Sequence, residues 1–340
     1  MFNEPTVIIL GAGASLHYGF PLGEKLRENI IGSIKSVENG SFSTISSSAV
    51  RQDLVYDYGS NRYDSLVRYI LTNENVPSSL KEWRHHINFK DRMDESHNYT
   101  IDSFLTENPS YREIGKLYIT LEILRNTAAQ GRFSKIGISF NKDVYQNSNT
   151  MGWYRALCHK ILENSEGVDK LRKNPIDIIT FNYDTSLEYY LRNHIGSSEM
   201  HSDIKYDDFI SIIHVHGKIE LCESENFLKH FEIFSENIMS SMNDIRVIGE
   251  NNDNSHLEAA RESISNAERI YIMGFGFDEA NYRLLEIPDR IKGKRTFCNN
   301  YKNNKNIRNI LQRWEVPHEN ISNSELVDSI HDGFFDLPLL

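Results

Sequence analysis

The chain has 340 residues, a length that predicts about two domains or one domain with a large insertion, and with 39% hydrophobic and 25% charged residues it can form an apolar core. Its formal net charge of −11 argues against a stand-alone binder of DNA or RNA, which normally shows a basic surface, so we expect no direct nucleic-acid binding. The sequence contains neither a basic leader nor a run of roughly 18 apolar residues, so we expect a cytoplasmic protein that makes no contact with a membrane.

The first predicted element is a short apolar strand at Thr6–Leu10, which runs into the glycine turn at 11–15 (GAGAS). A helix with apolar residues along one side is predicted over Leu22–Ile34. Strand, glycine turn and helix together are typical of the start of a nucleotide-binding α/β unit. Leu16 replaces the third glycine of the dinucleotide fingerprint, and no second strand with an acidic residue follows, which argues against an ordinary dehydrogenase. The alternative is a glycine turn that only packs the strand on the helix.

The next stretch breaks the α/β pattern, because a polar loop at 38–48 stands where a second strand would be expected. From 41 to 174 the apolar residues recur mostly with helical spacing, and we interpret this region as a helical insertion lobe. Helices are predicted there at Asp64–Leu71, Arg112–Leu124 and Gly152–Leu162.

Beyond residue 174 strands and helices alternate again, which predicts a Rossmann-like, mostly parallel sheet with helices on both faces. We therefore predict a Rossmann-type domain from 1–40 and 175–318, the lobe at 41–174, and an apolar C-terminal tail at 319–340. The tail either docks on the body of the protein or lies in an oligomer contact. The predicted strands are Ile176–Phe181, Phe209–Val215, Ile245–Ile248, Arg269–Gly274 and Arg295–Asn299, and the predicted helices are Thr185–Arg192, about 226–242, His256–Ala267, Asn281–Glu286 and about 304–314.

Polar side chains follow the predicted strand Ile176–Phe181, where the chain reads Asn182-Tyr183-Asp184. Open α/β sheets bind their ligands at the carboxyl ends of the strands. The alternative is a helix N-cap, a position that favours Asn and Asp. A cap accounts for one polar residue and not for two, so the pair also indicates a site.

Two histidines stand at the end of the next strand, in the sequence His214-Val215-His216-Gly217. Strand alternation predicts that His214 and His216 share a face. A histidine at such a point can act as a base near neutral pH. The alternatives are a buried histidine with satisfied hydrogen bonds or a zinc pair, for which a third and fourth ligand are not in sight.

These stretches, in this order, resemble the sirtuin superfamily. The resemblance rests on the glycine turn with G-F-P (11–21), T-x-N-x-D (180–184), H-G (216–217), the turn G-F-G (274–276) and a strand that ends in Asn299. It covers about 1–36 and 175–315. The forms GFGFDEAN, NYDTSLE and YTIDSFL (99–105) are similar to the sirtuin-like domains of bacterial anti-phage defence proteins rather than to the deacylases.

The chain departs from the sirtuin deacylases at two places. Their glycine loop is followed by Pro-Asp-Phe-Arg, whereas Pro21 is followed by Leu-Gly-Glu. They also carry a zinc module with four cysteines, which this chain cannot build from Cys158, Cys222 and Cys298. We therefore expect no zinc and no protein deacylation, while the machinery that holds NAD and breaks its nicotinamide–ribose bond is retained.

The resemblance implies a role for each matching residue, with NAD as the substrate. Asn182 orients the ribose or the attacking water, His216 is the base, and Asp184 holds the nicotinamide side or supports Asn182. His214 supports the site from behind, and His17 is a bystander near its mouth. The residues expected to hold NAD are Gly11, Ala12, Gly13 and Ser15 at the phosphates, Gly274, Gly276 and Asn299 at the later strand ends, and Asp102 from the helical lobe, for which a surface helix cap is the alternative.

The function implied by the resemblance is hydrolysis of NAD to nicotinamide and ADP-ribose, as an anti-phage effector that depletes cellular NAD when activated. Such an enzyme needs restraint, so we expect a homo-oligomer or a partner such as a HerA-like ATPase or a short Argonaute. The alternatives are a module that senses NAD or ADP-ribose without turnover, a deacylase or ADP-ribosyltransferase acting on protein, and a structural subunit of a larger assembly. Hydrolysis and cyclisation are not distinguished by the sequence.

Overall fold

The computed structural model describes residues 4–39, 71, 74, 76–134, 137–140, 152–163, 172–173, 175–195, 205–219, 231–250 and 254–335. The helix predicted at Asp64–Leu71 lies outside them except for its last residue. Contacts divide the chain into two compact units. The first contains Met1–Phe20, Asn141–Gly217 and Asn251–Leu340, and the second contains Pro21–Phe140 and Lys218–Glu250.

The strands of the described chain are short, and several of them are themselves buried, mostly apolar runs. In chain order they are β1 (Thr6–Leu10), β2 (Gly131–Ser134), β3 (Gly137–Phe140), β4 (Ile176–Thr180), β5 (Ile210–His214), β6 (Arg269–Met273), β7 (Arg295–Asn299) and β8 (Ile321–Ser322). The helices are α1 (Gly23–Asn39), α2 (Trp83–Glu95), α3 (Ile101–Glu107), α4 (Arg112–Gln130), α5 (Trp153–Glu163), α6 (Ser186–His194), α7 (Phe231–Asp244), α8 (Ser255–Asn266), α9 (Glu279–Leu284), α10 (Ile287–Arg290), α11 (Lys305–Arg313) and α12 (Leu326–His331).

The first unit is built on a six-stranded sheet in the order β5-β4-β1-β6-β7-β8, and every neighbouring pair is parallel. The chain adds β4 and β5 on one side of β1 and then returns to add β6, β7 and β8 on the other side. This is the Rossmann strand order, in which ligands bind where the order reverses, here between β1 and β6. The prediction of a mostly parallel α/β sheet is therefore confirmed.

Different parts of the first unit cover the two faces of the sheet. Ile270 and Ile272 of β6 belong to an apolar cluster that includes residues of α8, α10 and α11. Tyr271 lies on the opposite face because strand side chains alternate. Its ring contacts Phe334 at 5.5 Å and Phe335 at 4.8 Å between centroids, and both phenylalanines are buried. The described part of the predicted C-terminal tail thus docks on the sheet.

The second unit is mostly helical, with α1 packed on α2 and α4. Its core includes Phe89, Phe104 and Tyr118, whose rings lie within about 6 Å of one another in the pairs that share Phe89. His86 is fully buried beside them, and its two ring nitrogens lie 2.8 Å from the Tyr118 hydroxyl and 2.8 Å from the carbonyl of Leu80.

Two details of the second unit differ from the prediction. The strand expected at Ile245–Ile248 is wrong, because the carboxylate of Glu250 accepts a hydrogen bond from the backbone N–H of Val247 at 3.1 Å and closes a turn there. The predicted lobe also contains the antiparallel hairpin β2–β3. The compact units do not end at the predicted domain boundaries, since α1 clusters with the second unit and α5 with the first.

Candidate functional site

The turns that follow β1 and β6 cross each other at the point where the strand order reverses. The backbone N–H of Gly11 donates to the carbonyl of Met273 at 3.0 Å, and that of Gly13 donates to the carbonyl of Gly274 at 2.9 Å. A Cβ on Gly274 would lie 2.2 Å from the nitrogen of Ala14, and its φ of +59° also favours glycine. The close crossing of the two turns therefore requires these glycines before any ligand is considered.

The glycine turn does not lead directly into a long helix. It continues through two short 3₁₀ turns, Ala12–Ala14 and Leu16–Tyr18, and the first α-helix begins only at Gly23. The helix predicted from Leu22 thus begins one residue after its predicted start, and the binding of a phosphate by the glycine turn stays a prediction.

Gly276 differs from the other glycines of these turns. It is exposed, its φ is not positive, and a Cβ placed on it meets nothing within 4 Å. The described residues give no steric reason for a glycine there, and a side chain would extend from the exit of β6 into open space. An open backbone at this position fits the predicted approach of a ligand.

Asn182 follows β4 and is almost completely buried, with 8% of its surface exposed. Its backbone N–H donates to the Thr180 hydroxyl at 3.1 Å, and its side-chain Nδ2 donates to the Ser15 hydroxyl at 2.9 Å. Its side-chain Oδ1 is buried and has no hydrogen-bond partner among the described residues. A buried acceptor without a partner costs about 1–3 kcal/mol of stability, and a donor from a bound ligand would remove that cost.

The direction of the Asn182 side chain is fixed by its neighbours. Nδ2 of Asn182 donates to the Ser15 hydroxyl, so Oδ1 lies on the other side of the amide. Ser15 also lies near Asp184, where burial raises the pKa of the carboxyl and Ser15 lowers it. The amide therefore has its nitrogen towards Ser15 and its buried oxygen directed away from Ser15.

Asp184 is occupied by hydrogen bonds at the start of α6. It accepts from the backbone N–H of Ser186 at 3.2 Å and from the Ser186 hydroxyl, which also contacts the Tyr154 hydroxyl at 2.7 Å. Burial raises the pKa of Asp184, while the hydrogen bonds from Ser186 and Ser15 act in the opposite direction. Asp184 thus accepts from the first backbone N–H of α6 while it stands one residue before the N-cap residue, Thr185, whose own side chain makes no cap bond.

His214 ends β5 and holds the main chain of Asn182. Its Nδ1 lies 2.9 Å from the Asn182 carbonyl oxygen, and its Nε2 lies 2.6 Å from the Glu188 carboxylate. Both partners are acceptors, so both ring nitrogens carry hydrogen and the ring is an imidazolium. Burial by itself would lower the pKa of His214, but the contact with Glu188 raises it above the ordinary value.

His216 lies beyond the end of β5, in a turn completed by Gly217 with a φ of +76°. β5 ends at His214, so strand alternation does not extend to His216, and a shared face for the two histidines stays a prediction. The His216 ring is 3% exposed, and its Nε2 lies 2.9 Å from Oδ1 of Asn281. Phe181 meets the ring at 5.6 Å between centroids.

Of the remaining predicted residues, Asn299 and His17 contact other parts of the first unit. Asn299 ends β7, and its Nδ2 donates to the Ser324 carbonyl at 2.8 Å, which anchors the segment before α12. His17 is exposed and lies 4.0 Å from Glu325. Asp102 lies in the first turn of α3 in the second unit, and its part in the site stays a prediction.

The structure thus joins Ser15 and Asn182 by a hydrogen bond, with His214 attached through the Asn182 carbonyl and Asp184 near Ser15. Sequence reasoning missed the partners that fix this group. Glu188 could have been found one helical turn beyond Asp184, and Asn281 could have been found in the first turn after the N-cap residue Asp278. The other missed partners are Tyr154 and Ser186.

Within the described ranges, no three His, Cys, Asp or Glu side chains lie together in a way that could hold a metal ion. No helix in the described part of the chain is long and apolar enough to cross a membrane. No protein-family model matches the chain, and no curated protein sequence matches it.

Proposed function

We propose that the chain is an NAD glycohydrolase that converts NAD and water to nicotinamide and ADP-ribose. The observation that carries the proposal is the buried Oδ1 of Asn182, which has no hydrogen-bond partner among the described residues. Its side chain is held by Ser15 at the carboxyl end of β4, in a sheet with the Rossmann strand order. The sirtuin-like order of the motifs around Ser15, Asn182 and His216 supports NAD as the ligand.

The chemistry requires few groups. The bond between C1′ of the ribose and N1 of nicotinamide breaks, and its electron pair leaves with nicotinamide. Positive charge builds on the ribose, and a water molecule adds its oxygen to C1′ and releases one proton. In the proposed reaction, Oδ1 of Asn182 accepts a hydrogen bond from a ribose hydroxyl or from the water, and His216 accepts the proton. Nicotinamide leaves as a neutral molecule, so no general acid is required.

The direct test is incubation of the purified chain with NAD, followed by chromatography of the products. Asn182→Ala and His216→Ala should each reduce nicotinamide release by at least about 100-fold, because each removes a group that acts on the reacting centre. His318→Ala is the matched control, since His318 is an exposed histidine of the same compact unit. Full activity of both site variants, with unchanged circular dichroism, would contradict the assignment.

The sensing function has a distinct outcome in the same experiment. Binding of NAD by calorimetry without release of nicotinamide would indicate a module that recognises the nucleotide and does not cleave it. The resemblance to defence proteins extends the proposal to depletion of cellular NAD under the control of self-assembly or a partner. The incubation is therefore repeated with the product of the neighbouring gene, and activity that appears only in the mixture supports that control.

A further inference from the structure

The His216 ring has a single hydrogen-bond partner among the described residues, and this partner decides which ring nitrogen is basic. Nε2 lies 2.9 Å from the amide oxygen of Asn281. An amide oxygen can only accept, so Nε2 must carry the hydrogen and the lone pair of the neutral ring lies on Nδ1. The described residues offer no partner to Nδ1.

Asn281 is held firmly by its own helix. It lies in the first turn of α9, where the Asp278 carboxylate accepts from the backbone N–H of Ala280 at 3.1 Å and from that of Asn281 at 3.3 Å. Asp278 is the N-cap residue of this helix, and such a cap fixes the first turn. The backbone that carries the Asn281 side chain is therefore set by the sequence Asp-Glu-Ala-Asn.

An apolar cluster anchors the same helix from both ends. Tyr282, which follows Asn281, meets Trp314 edge to face at 5.2 Å between centroids. Phe277, which precedes the cap, is buried and lies 5.3 Å from Trp314 and 5.2 Å from Phe275. Because both flanking residues pack into the core, α9 cannot turn its first residues away from His216 without disrupting that packing.

We propose that Asn281 is a positioning residue that fixes the tautomer of His216, so that Nδ1 is the atom that accepts the proton during hydrolysis. The inference rests on the proposed function of the site. When Nδ1 takes up the proton from the water or the ribose hydroxyl, the ring becomes an imidazolium and the Nε2–H bond to Asn281 becomes stronger. Asn281 acts through His216 and does not itself need to contact the substrate.

Two substitutions separate this role from a merely structural one. Asn281→Asp keeps an oxygen that accepts from Nε2–H, whereas Asn281→Leu keeps the size and removes the acceptor. Glu279→Ala is the control, because Glu279 is an exposed residue of the same helix that pairs with exposed Arg283. Long-range ¹H–¹⁵N spectra report the protonated nitrogen of His216 directly, and the signals are assigned by their loss in His216→Gln.

We expect the spectrum of the wild-type chain to show hydrogen on Nε2 of His216, and we expect Asn281→Asp to keep it there. In Asn281→Leu the two tautomers should mix, and kcat should fall by roughly 100-fold with KM little changed, because the base is no longer aligned. Asn281→Asp should recover most of that loss, and Glu279→Ala should behave as wild type.

Failure of the inference and failure of the proposed function give different results. Hydrogen on Nδ1 in the wild-type spectrum, or unchanged kcat in Asn281→Leu, overturns the role of Asn281 even if the chain hydrolyses NAD. Absence of nicotinamide release from the wild-type chain, alone and with the neighbouring gene's product, overturns the proposed function and with it the catalytic part of this inference. The tautomer of His216 is then still decided by the spectra.

Discussion

Gly274 and Gly276 stand two residues apart at the exit of β6, and the structure predicts that substitution by alanine lowers the stability of the fold at Gly274 but not at Gly276. In Gly274→Ala the new methyl group meets the backbone of Ala14 at 2.2 Å and of Gly13 at 2.6 Å. Neither turn can yield easily, because the backbone hydrogen bond from Gly13 to Gly274 joins them. In Gly276→Ala the methyl group meets nothing within 4 Å.

The expected loss in Gly274→Ala has two parts. A left-handed backbone with a φ of +59° costs roughly 1–2 kcal/mol for an L-residue with a side chain. Overpacking of a tightly packed site typically adds about 1–3 kcal/mol. The free energy of unfolding of the first unit should therefore fall by roughly 2–5 kcal/mol, a large part of the 5–15 kcal/mol that is typical of native proteins.

Urea unfolding followed by tryptophan fluorescence measures this effect in the correct unit. Trp153 and Trp314 lie in the first unit and Trp83 lies in the second, so a Trp83→Phe background isolates the signal. Gly274→Ala should lower the urea midpoint, while Gly276→Ala should leave it unchanged and weaken binding of NAD. An unchanged midpoint in Gly274→Ala would refute the close crossing of the two turns.

Two further predictions concern buried histidines. Burial lowers the pKa of His86 from 6.5 to about 4. As the pH falls, the unfolded chain therefore binds the proton before the folded chain does, and the second unit should lose ~3 kcal/mol of stability between pH 6.5 and pH 4. Urea midpoints read from Trp83 beside His86 measure this, and a flat profile contradicts it. His214→Leu leaves the Glu188 carboxylate unpaired and frees the Asn182 carbonyl, which should cost about 3–5 kcal/mol. Because the pKa of His214 is raised, the stability that this pair contributes is fully present below about pH 6.5 and is lost as the pH rises through the pKa of the folded chain. Above pH 7 the urea midpoint should therefore fall with pH in the wild-type chain and change less in His214→Leu.

The sheet was predictable because several of its strands are short apolar runs and because a glycine or a polar residue marks where they end. β1 and β7 begin and end where the sequence predicts: β1 is an apolar run that stops at Gly11, and β7 stops at Asn299. The hairpin β2–β3 and the turn at Ile245–Ile248 were not predictable, because runs of four residues carry too little periodicity to separate strand from turn. The wrong strand had the right composition, and the side chain of Glu250 decided its conformation.

The site was predictable to the extent that it depends on strand ends. Parallel strands bring their carboxyl ends to one edge, which pointed to the polar residues after β4 and β5, while the roles given to Asn182 and His216 rest on the resemblance. Glu188, which binds His214, and Asn281, which binds His216, were not named from the sequence. Each lies within a turn or so of a named motif, but the contact itself depends on how its helix packs against the strand ends. The glycines Gly11, Gly13 and Gly274 have a structural role that the sequence did not reveal, since the crossing of the two turns requires them, while their part in phosphate binding stays a prediction.

The polar atoms of Asn182 separate the helix-cap interpretation from the site. Its backbone N–H binds Thr180, its carbonyl binds His214, and its Nδ2 binds Ser15. The N-cap residue of α6 is Thr185, and the first backbone N–H of the helix binds Asp184, so Asn182 takes no part in capping. Three of its four polar groups are thus fixed by the fold, and the fourth, Oδ1, is buried and has no hydrogen-bond partner among the described residues. An acceptor held in this way is preorganised for a donor such as a ribose hydroxyl, whereas a capping residue would have used its side-chain oxygen on the helix.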